Sequence, residues 1–203
     1  MITLADPQPQ PRDARPRRAD ARRNRARLVE QAKASFAEFG VDASLDEIAR
    51  RAGVASGTLY RHFPTRLDLV EAVLADQLAA LADLGRELLT AEDEFGGLTT
   101  WLRAALVHGM SYRGLSAAVL NAAVDRGGVD VADWHAETLQ VGGELLARAR
   151  AAGSVDADVR DADVLKMVGA IAQAAGDGRD GHAQAERLLG LLMNGLRAGA
   201  PGH

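Results

Sequence analysis

The residues whose types and spacing could do chemistry are concentrated between Ser44 and Leu69, in the stretch SLDEIARRAGVASGTLYRHFPTRLDL. Two short helical segments are joined there by Val54-Ala55 after Gly53, which is the spacing that a helix-turn-helix requires. A helix that enters the major groove needs small or hydrogen-bonding residues at its start, because backbone and side chains must approach the base edges. The pattern predicts a DNA-binding surface made of Ser44, Ser56, Gly57, Thr58, Tyr60, Arg61, His62 and Arg66.

Single residues of this set also have ordinary structural interpretations. Tyr60 could be a surface aromatic and His62 a capping or solvated histidine. The joint pattern favours DNA binding, because a predicted capping box, a tight turn and a basic flank occur in register with an apolar side. That side is predicted to form a small core from Leu59, Phe63, Phe36, Phe39, Ile48 and Ala52.

Two helices are predicted before the turn. The first starts at Ala21 after an N-cap at Asp20 and stops at Gly40, since glycine is common just past a helix end. The second starts with a capping box, in which Ser44 accepts a hydrogen bond from the backbone near Glu47 and Glu47 reaches back.

Further helices are predicted after the turn. Ser56 is expected to cap a third helix that Pro64 stops, because proline supplies no amide hydrogen. Thr65 is expected to cap a long fourth helix. Later glycine-rich breaks separate helices at about 97–112, 115–125, 131–152, 161–176 and 182–198. No convincing strand pattern is present, so the fold class is all-α, with about nine helices.

Composition and charge narrow the function. The chain has 203 residues, 47% hydrophobic and 26% charged, which is typical of globular proteins. It contains no cysteine, which excludes disulfides, thiolate zinc sites and cysteine nucleophiles. Residues 1–66 hold 13 Lys and Arg against 8 Asp and Glu, whereas residues 67–203 hold 11 against 20. A basic front and an acidic remainder indicate that the front meets a polyanion. Without a signal peptide or an apolar span, the chain is predicted to be soluble and cytoplasmic.

The stretch from Gly53 to Phe63, GVASGTLYRHF, resembles the recognition segment of TetR-family transcriptional regulators, and the resemblance covers roughly residues 20–75. Residues 1–19 are rich in Arg and Pro and show no hydrophobic period, so they are predicted to form a flexible arm. The resemblance implies a three-helix helix-turn-helix DNA-binding domain at 20–66. A helical effector-binding and dimerisation domain follows at 67–203. It also implies a homodimer that binds a near-palindromic operator and is released by a small-molecule effector of unknown identity, with no cofactor.

The same resemblance implies roles for individual residues. Thr58, Tyr60, His62 and Arg66 resemble phosphate-contacting positions, and Ser56, Gly57 and Arg61 resemble base-facing ones. Two positions depart from the family pattern. Asp46 is acidic where some members carry a basic residue that reads a base, and Pro64 replaces a residue that is often polar. The arginine-rich arm implies additional phosphate or minor-groove contacts.

Two further sets of candidate residues lie in the C-terminal part. Sparse polar and aromatic groups on apolar helices are typical of a ligand cavity, and they predict effector binding by Trp101, His108, Tyr112, Asn121, Trp134 and Met167. The apolar faces of the last two helices predict a dimer interface that contains Leu165, Val168, Ile171, Leu188, Leu192 and Leu196. The same faces could instead pack inside the monomer.

Other functions have weaker signals. The five histidines show no metal-binding spacing such as HExxH, and the segment 109–114 is too long for a nucleophile elbow. The aspartates between 156 and 163 lack the glycine and glutamate of a calcium loop, so no metal site is predicted. The alternatives kept open are a DNA-binding protein without a sensing role and a helical enzyme.

Overall fold

A computed structural model of the chain describes residues 14–111, 131–176 and 178–197. Over these ranges the chain forms α-helices joined by short connections and contains no strand, only an isolated bridge between Val155 and Arg197. The all-α prediction is confirmed. The helices are α1 (Ala14–Phe39), α2 (Leu45–Arg51), α3 (Ser56–His62), α4 (Arg66–Leu88), α5 (Glu94–Ser111), α6 (Val131–Ala151), α7 (Asp161–Ala174) and α8 (Gly178–Leu196), and a 3-10 turn (Gly40–Asp42) follows α1.

Helix α1 is longer than the sequence predicted. It begins at Ala14, so the predicted start at Ala21 and the predicted N-cap at Asp20 are wrong. Pro16 is compatible with the earlier start because the amides of a first helical turn have no intrahelical partner. Asp20 lies inside the helix and pairs with Arg23. The last six residues of the predicted flexible arm 1–19 are therefore helical, and residues 1–13 lie outside the described ranges.

The N-terminal caps of α2 and α4 follow the predicted residues with one difference. Ser44 Oγ accepts from the Glu47 amide at 3.4 Å, but the Glu47 carboxylate binds Arg50 and Arg51 rather than reaching back, so the predicted capping box is only half formed. The complete capping box is at α4. Its reciprocal hydrogen bonds join Thr65 and Asp68, which fixes the direction in which α4 leaves the helix-turn-helix.

Helix α3 is placed by the turn that precedes it. Gly53 has φ +68°, a left-handed conformation that glycine adopts without strain. The Val54 amide donates to the Ala49 carbonyl at 3.0 Å, which closes the end of α2 as a Schellman motif. The N-cap of α3 is Ala55, not the predicted Ser56, because the first helical hydrogen bonds are accepted by the Ala55 carbonyl.

Two apolar clusters organise the molecule. The first joins α1, α2, α3 and the first half of α4, and the buried Leu59 and Phe63 hold α3 in it. Phe39 was predicted to belong to this cluster, but it is 55% exposed and lies under the guanidinium of Arg51, because α1 ends there. The second cluster joins the remainder of α4 to α5, α6, α7 and α8 around the buried Trp101.

The C-terminal helices have nearly the predicted bounds. Helices α5 to α8 differ from the predicted ranges by at most four residues at either end, whereas the predicted helix at 115–125 lies outside the described residues. Helix α4 contributes to both apolar clusters, with Leu69, Val70, Val73 and Leu74 in the first and Leu81 in the second. Helix α4 therefore connects the helix-turn-helix to the C-terminal helices.

Candidate nucleic-acid interface and ligand cavity

The exposed side of α3 carries the residues predicted to meet DNA. Tyr60 is 45% exposed and Arg61 is also exposed, while Thr58 and His62 are half-buried. Ser56 is half-buried too, and an added Cβ at the exposed Gly57 would meet nothing within 4 Å. The opposite side of α3 is buried through Leu59. Helix α3 thus corresponds to the predicted recognition helix. Leu59 on its apolar side is buried, and Tyr60 and Arg61 are exposed to solvent.

Arg61 folds back along its own helix. Its Nε donates to the Gly57 carbonyl at 3.2 Å and its Nη2 donates to Thr58 Oγ1 at 3.0 Å. The guanidinium therefore lies at the N-terminal end of α3, which is the end that a major-groove reader points at bases. These two hydrogen bonds use two of the five N–H donors of the guanidinium, so the others can be offered to a base edge.

Ser44 and Arg66 are brought together although 22 positions separate them. Arg66 Nη1 donates to the carbonyl of Ala43 at 2.5 Å, next to the exposed Ser44 at the start of α2. A cation, a hydroxyl and the first amides of α2 thus lie close together, an arrangement that attracts phosphate.

Glu47 forms ion pairs with both arginines of α2, Arg50 and Arg51. Hydrogen bonds from Arg50 and Arg51 lower the pKa of Glu47 to about 2, and those same contacts raise the pKa of both arginines. Asp46, the acidic departure from the family pattern, is exposed in the first turn of α2. The C-terminal half of α2 is thus an ion-pair cluster rather than a free basic surface.

The structure adds residues of α1 that the predicted site omitted. The guanidinium carbon of Arg25 lies 5.3 Å from the centre of the Phe63 ring, and Arg27 Nη1 would be 3.8 Å from a Cβ at Gly53. Both arginines therefore flank the helix-turn-helix. Both lie within the first helix that the sequence predicted, and the spacing of arginines along that helix was the signal that could have placed them in the site.

The predicted effector-binding residues do not form one group. Trp101 is 1% exposed, and its Nε1 donates to the Leu81 carbonyl at 2.9 Å, so this ring is part of the core and lines neither of the two concavities described below. Met167 is 49% exposed on α7. Of the rest, Tyr112, Asn121 and the side chain of Trp134 lie outside the described residues.

His108 lines a concavity between α4 and α5. It has a volume of about 390 Å³. Apolar side chains dominate its wall, and a few polar groups are placed among them, as is usual for small-molecule sites. The wall consists of Gln77, Ala80, Leu81, Leu84, Ala104, Val107, His108 and Ser111.

A larger, more polar cleft of about 820 Å³ lies between the start of α5, the α6–α7 connection and the end of α8. On its wall, the guanidinium of Arg197 stacks 4.4 Å from the centre of the Phe95 ring, and Arg103 pairs with Glu186 at 2.9 Å. Each of these two arginine side chains is thus paired with another residue of the protein.

The predicted dimer residues divide into two sets. Val168, Ile171 and Leu196 are buried in the second cluster, so their assignment to an interface between subunits is wrong: these faces pack inside the monomer. The remaining three, Leu165, Leu188 and Leu192, are partly buried against the same cluster. The large apolar residues left exposed on α7 and α8 are Met167 and Leu191, the latter 68% exposed.

Metal-ligand clusters and membrane-spanning helices are both absent from the described residues. No group of three or more His, Asp or Glu side chains in these ranges could hold a metal ion. No helix in them combines the length and hydropathy that crossing a bilayer requires.

The packed turn, the exposed recognition helix and the helical second domain define a helix-turn-helix DNA-binding protein. Residues 28–73 match the family model of bacterial regulatory proteins of the tetR family. Residues 93–198 match the model of the transcriptional regulator SbtR-like C-terminal domain. The chain belongs to the TetR family of transcriptional regulators, and it is a DNA-binding regulator rather than an enzyme.

Known structures and relatives agree with this assignment. The crystal structure of a TetR transcriptional regulator from Streptomyces coelicolor is similar with a TM-score of 0.75 and 38% identity, over 87% of this chain and 99% of that one. A TetR regulator from Mycobacterium vanbaalenii has a TM-score of 0.66 and 38% identity, over 90% and 99%. The uncharacterized HTH-type transcriptional regulator TtgW of Pseudomonas putida is 42% identical over 80 residues, 36% of this chain. The chain spans 60% of TtgW and 38% of SrpR, a second regulator from that species.

Proposed function

We propose that the chain is a repressor that binds a near-palindromic operator as a homodimer in the cytoplasm and is released by a small-molecule effector. The observation that carries this proposal is α3, whose buried Leu59 and capping residue Phe63 hold the helix while Tyr60 and Arg61 stay open to solvent. A single half-site gives too little affinity to be selective, so two recognition helices are needed.

In this proposal, the polar residues of the helix-turn-helix domain form two groups, one that contacts phosphates and one that faces the bases. Ser44, Thr58, Tyr60, His62 and Arg66 contact phosphates and set the register, since phosphate contacts carry no sequence information. Ser56, Gly57 and Arg61 face the bases, and Arg61 offers its remaining N–H donors to a base edge. Arginine bound to guanine is the commonest specific contact of this kind.

Selection of bound fragments from random DNA tests the DNA-binding proposal. We expect a motif with two inverted half-sites about one helical turn apart. The variant Arg61→Ala should relax the preference at one base position in each half-site, whereas Tyr60→Ala should weaken binding evenly across sequences. Recovery of no motif, or identical effects of the two variants, would contradict the roles given to α3.

The concavity lined by His108 is the proposed effector site. It adjoins α4 at Gln77, Ala80, Leu81 and Leu84, and α4 begins at the DNA-binding region with Thr65 and Arg66. A ligand that binds better to one position of α4 than to another shifts the population of DNA-binding dimers. The ligand expected from the wall is mostly apolar, with one or two hydrogen-bonding groups.

Titration of the operator complex with a panel of such molecules tests the sensing proposal. The variant Val107→Trp should fill the concavity and abolish release by an active molecule while DNA affinity stays the same. Leu139→Trp, at an exposed leucine of α6 that does not line the concavity, is the matched control. If the same concentration of the active molecule releases both variants from the operator, the effector binds elsewhere. If no molecule releases the protein from the operator, the alternative of a DNA-binding protein without a sensing role is favoured.

The exposed side of α7 and α8 is the proposed dimer face, with a second copy of this chain as its occupant. It carries the exposed Met167 of α7 and the exposed Leu191 of α8, and one turn after Leu191 lies Gly195, where an added Cβ would meet nothing within 4 Å. Exposed apolar side chains between small residues allow two helix pairs to approach closely and to exclude water. Symmetric pairing through one such patch produces a closed dimer.

A further inference from the structure

The polar cleft of about 820 Å³ is separate both from the concavity that His108 lines and from the helix-turn-helix. The two concavities share no lining residue. A Cβ at Gly97 would lie 3.3 Å from the Leu88 carbonyl, so the start of α5 adjoins the C-terminal end of α4. Along α4 this end is about 33 Å from Arg66. The cleft therefore has no part in the proposed contact with DNA and is not the proposed effector site.

Contacts between its helices fix the walls of this cleft. The Asp156 amide donates to the Leu196 carbonyl at 3.1 Å, which ties the end of α8 to the connection between α6 and α7. Arg103 of α5 pairs with Glu186 of α8 at 2.9 Å, so the two helices are joined and the charge of this arginine is neutralised. A site whose walls are already in place loses little conformational freedom when it binds a ligand.

The α5 side of the cleft presents hydrogen-bond acceptors. Thr99 and Thr100 donate their hydroxyl hydrogens to carbonyls of their own helix at 2.7 and 2.8 Å, so only their lone pairs remain for a ligand. Asp93 Oδ1 accepts from the Gly96 amide at 2.8 Å at the start of α5. The Asp93 carboxylate forms no ion pair within the part of the chain that the structure describes. This side of the cleft therefore carries a negative charge.

The α8 side of the cleft presents hydrogen-bond donors. The guanidinium of Arg197 stacks 4.4 Å from the centre of the Phe95 ring. Stacking occupies the flat face of a guanidinium and leaves the N–H groups at its edge available. Among the described residues, Arg197 has no carboxylate partner. Asn194, one turn earlier, adds an exposed amide to the same side.

Two sides of one cleft thus carry opposite charges that no partner of opposite sign neutralises. An anionic ligand would leave Asp93 unmatched, a cationic ligand would leave Arg197 unmatched, and a neutral ligand would match neither. We propose that the cleft binds a small zwitterion, a free amino acid or a dipeptide, with its ammonium group at Asp93 and its carboxylate at Arg197. Arginine and carboxylate form strong, planar, paired hydrogen bonds. This site goes beyond the proposed function, because neither DNA binding nor effector release requires it.

Ligand binding by the full chain without DNA is the first test. Each proteinogenic L-amino acid and a set of dipeptides are screened singly by saturation-transfer NMR. Calorimetry then compares the tightest binder with its desamino analogue, which lacks the ammonium group, and with its decarboxy analogue, which lacks the carboxylate. Each analogue should bind about tenfold or more weakly, because each loses one charged hydrogen-bonding partner. If no probe binds, or if both analogues bind as tightly as the parent, the proposal is overturned.

Two variants assign each charge of the ligand to its partner. Asp93→Asn keeps a side chain that can cap a helix, and it should bind the parent and the desamino analogue alike. Arg197→Gln should bind the parent and the decarboxy analogue alike. The matched controls Glu92→Gln and Arg187→Gln change nearby charges that do not line the cleft, so they should keep the preferences of wild type. Wild-type preferences in the first two variants would contradict the assigned contacts.

Gly190→Phe tests the location of the site. A Cβ at Gly190 would meet nothing within 4 Å, so phenylalanine can be introduced on α8 and would occupy the cleft. Gly169→Phe on α7, where a Cβ also meets nothing within 4 Å and which does not line the cleft, is the matched control. Binding of the amino acid or dipeptide should be lost in the first variant and retained in the second. Equal binding by the two variants would place the ligand outside the cleft. Operator affinity is not the readout, so failure of the proposed function would leave this test intact.

Discussion

The substitution Gly142→Ala probes how tightly Trp101 is held between α4 and α6. A Cβ at Gly142 would lie 2.4 Å from Cη2 and 2.7 Å from Cζ3 of the Trp101 ring. The ring cannot retreat easily, because a Cβ at Gly85 on α4 would already lie 2.8 Å from its Nε1, which donates to the Leu81 carbonyl. Carbon atoms in favourable contact are about 3.5–4.0 Å apart, so the misfit exceeds about 1 Å.

The expected free-energy change has two parts of opposite sign. Overpacking a core costs about 1–3 kcal/mol, and a misfit against a rigid buried ring belongs at the upper end. Replacing glycine by alanine inside a helix returns about 1 kcal/mol. The net loss of unfolding free energy should be about 2 kcal/mol, which lowers the melting temperature by about 4–8 °C in a chain of this size.

Thermal and urea unfolding followed by far-ultraviolet circular dichroism, at one fixed protein concentration, measures this loss. Gly143→Ala is the matched control in the same helix. Its Cβ would meet only an Asp161 carboxylate oxygen at 3.3 Å, so the helix gain should dominate and the variant should be stabilised. Gly142→Ala should cost less in a Trp101→Phe background than in wild type, because phenylalanine lacks the two clashing atoms. A Gly142→Ala variant as stable as Gly143→Ala would refute the wedged position of Trp101.

Three further predictions concern caps, charge and assembly. Thr65→Ala should lower the unfolding free energy by about 1 kcal/mol, whereas Thr65→Ser keeps the capping hydroxyl and should lose less in urea unfolding. Because the Glu47 pKa is lowered in the folded state, its ion pairs stabilise the protein fully above the ordinary pKa of 4.5 and lose this effect as pH falls toward about 2. The urea unfolding midpoint of Glu47→Gln should therefore depend less on pH over that window than the midpoint of wild type. Equal pH dependence of the two proteins would contradict this prediction. If the chain forms the proposed dimer, Leu191→Glu should convert it to monomer in sedimentation, while Leu139→Glu, at a comparably exposed leucine of α6, should not.

The local signals in the sequence predicted local structure well. Ser44 and Thr65 were predicted as N-caps and both accept the expected backbone hydrogen bonds, because capping depends on residues three positions apart. The turn was predicted to follow Gly53, and Gly53 has the left-handed conformation that closes such a helix end. The start of α1 at Ala14 was missed because residues 1–19 are rich in Pro and Arg and show no hydrophobic period, although proline is tolerated in the first turn of a helix.

Predictions that depend on packing between helices were less successful. An amphipathic face shows that a helix is buried but does not show what covers it, so Val168, Ile171 and Leu196 were assigned to a partner subunit although they pack within the chain. Trp101 was considered for ligand binding because aromatic residues are sparse in this half. In the folded chain, the Leu81 carbonyl accepts the hydrogen bond of its indole N–H and glycines on two helices enclose its ring, neither of which the local sequence indicates.

Helix α4 has a consequence for the construction of chimeric regulators. The residues of α4 belong to both apolar clusters, and no proline lies between them. This helix therefore fixes how one cluster is rotated about the helix axis relative to the other. Inserting one residue between Leu74 and Leu78 would rotate everything beyond it by about 100° and advance it by about 1.5 Å. A transplanted sensor domain would then present its partner face in the wrong direction for paired half-sites. Junctions within α4 should therefore conserve residue count, whatever the similarity of the sequences on either side.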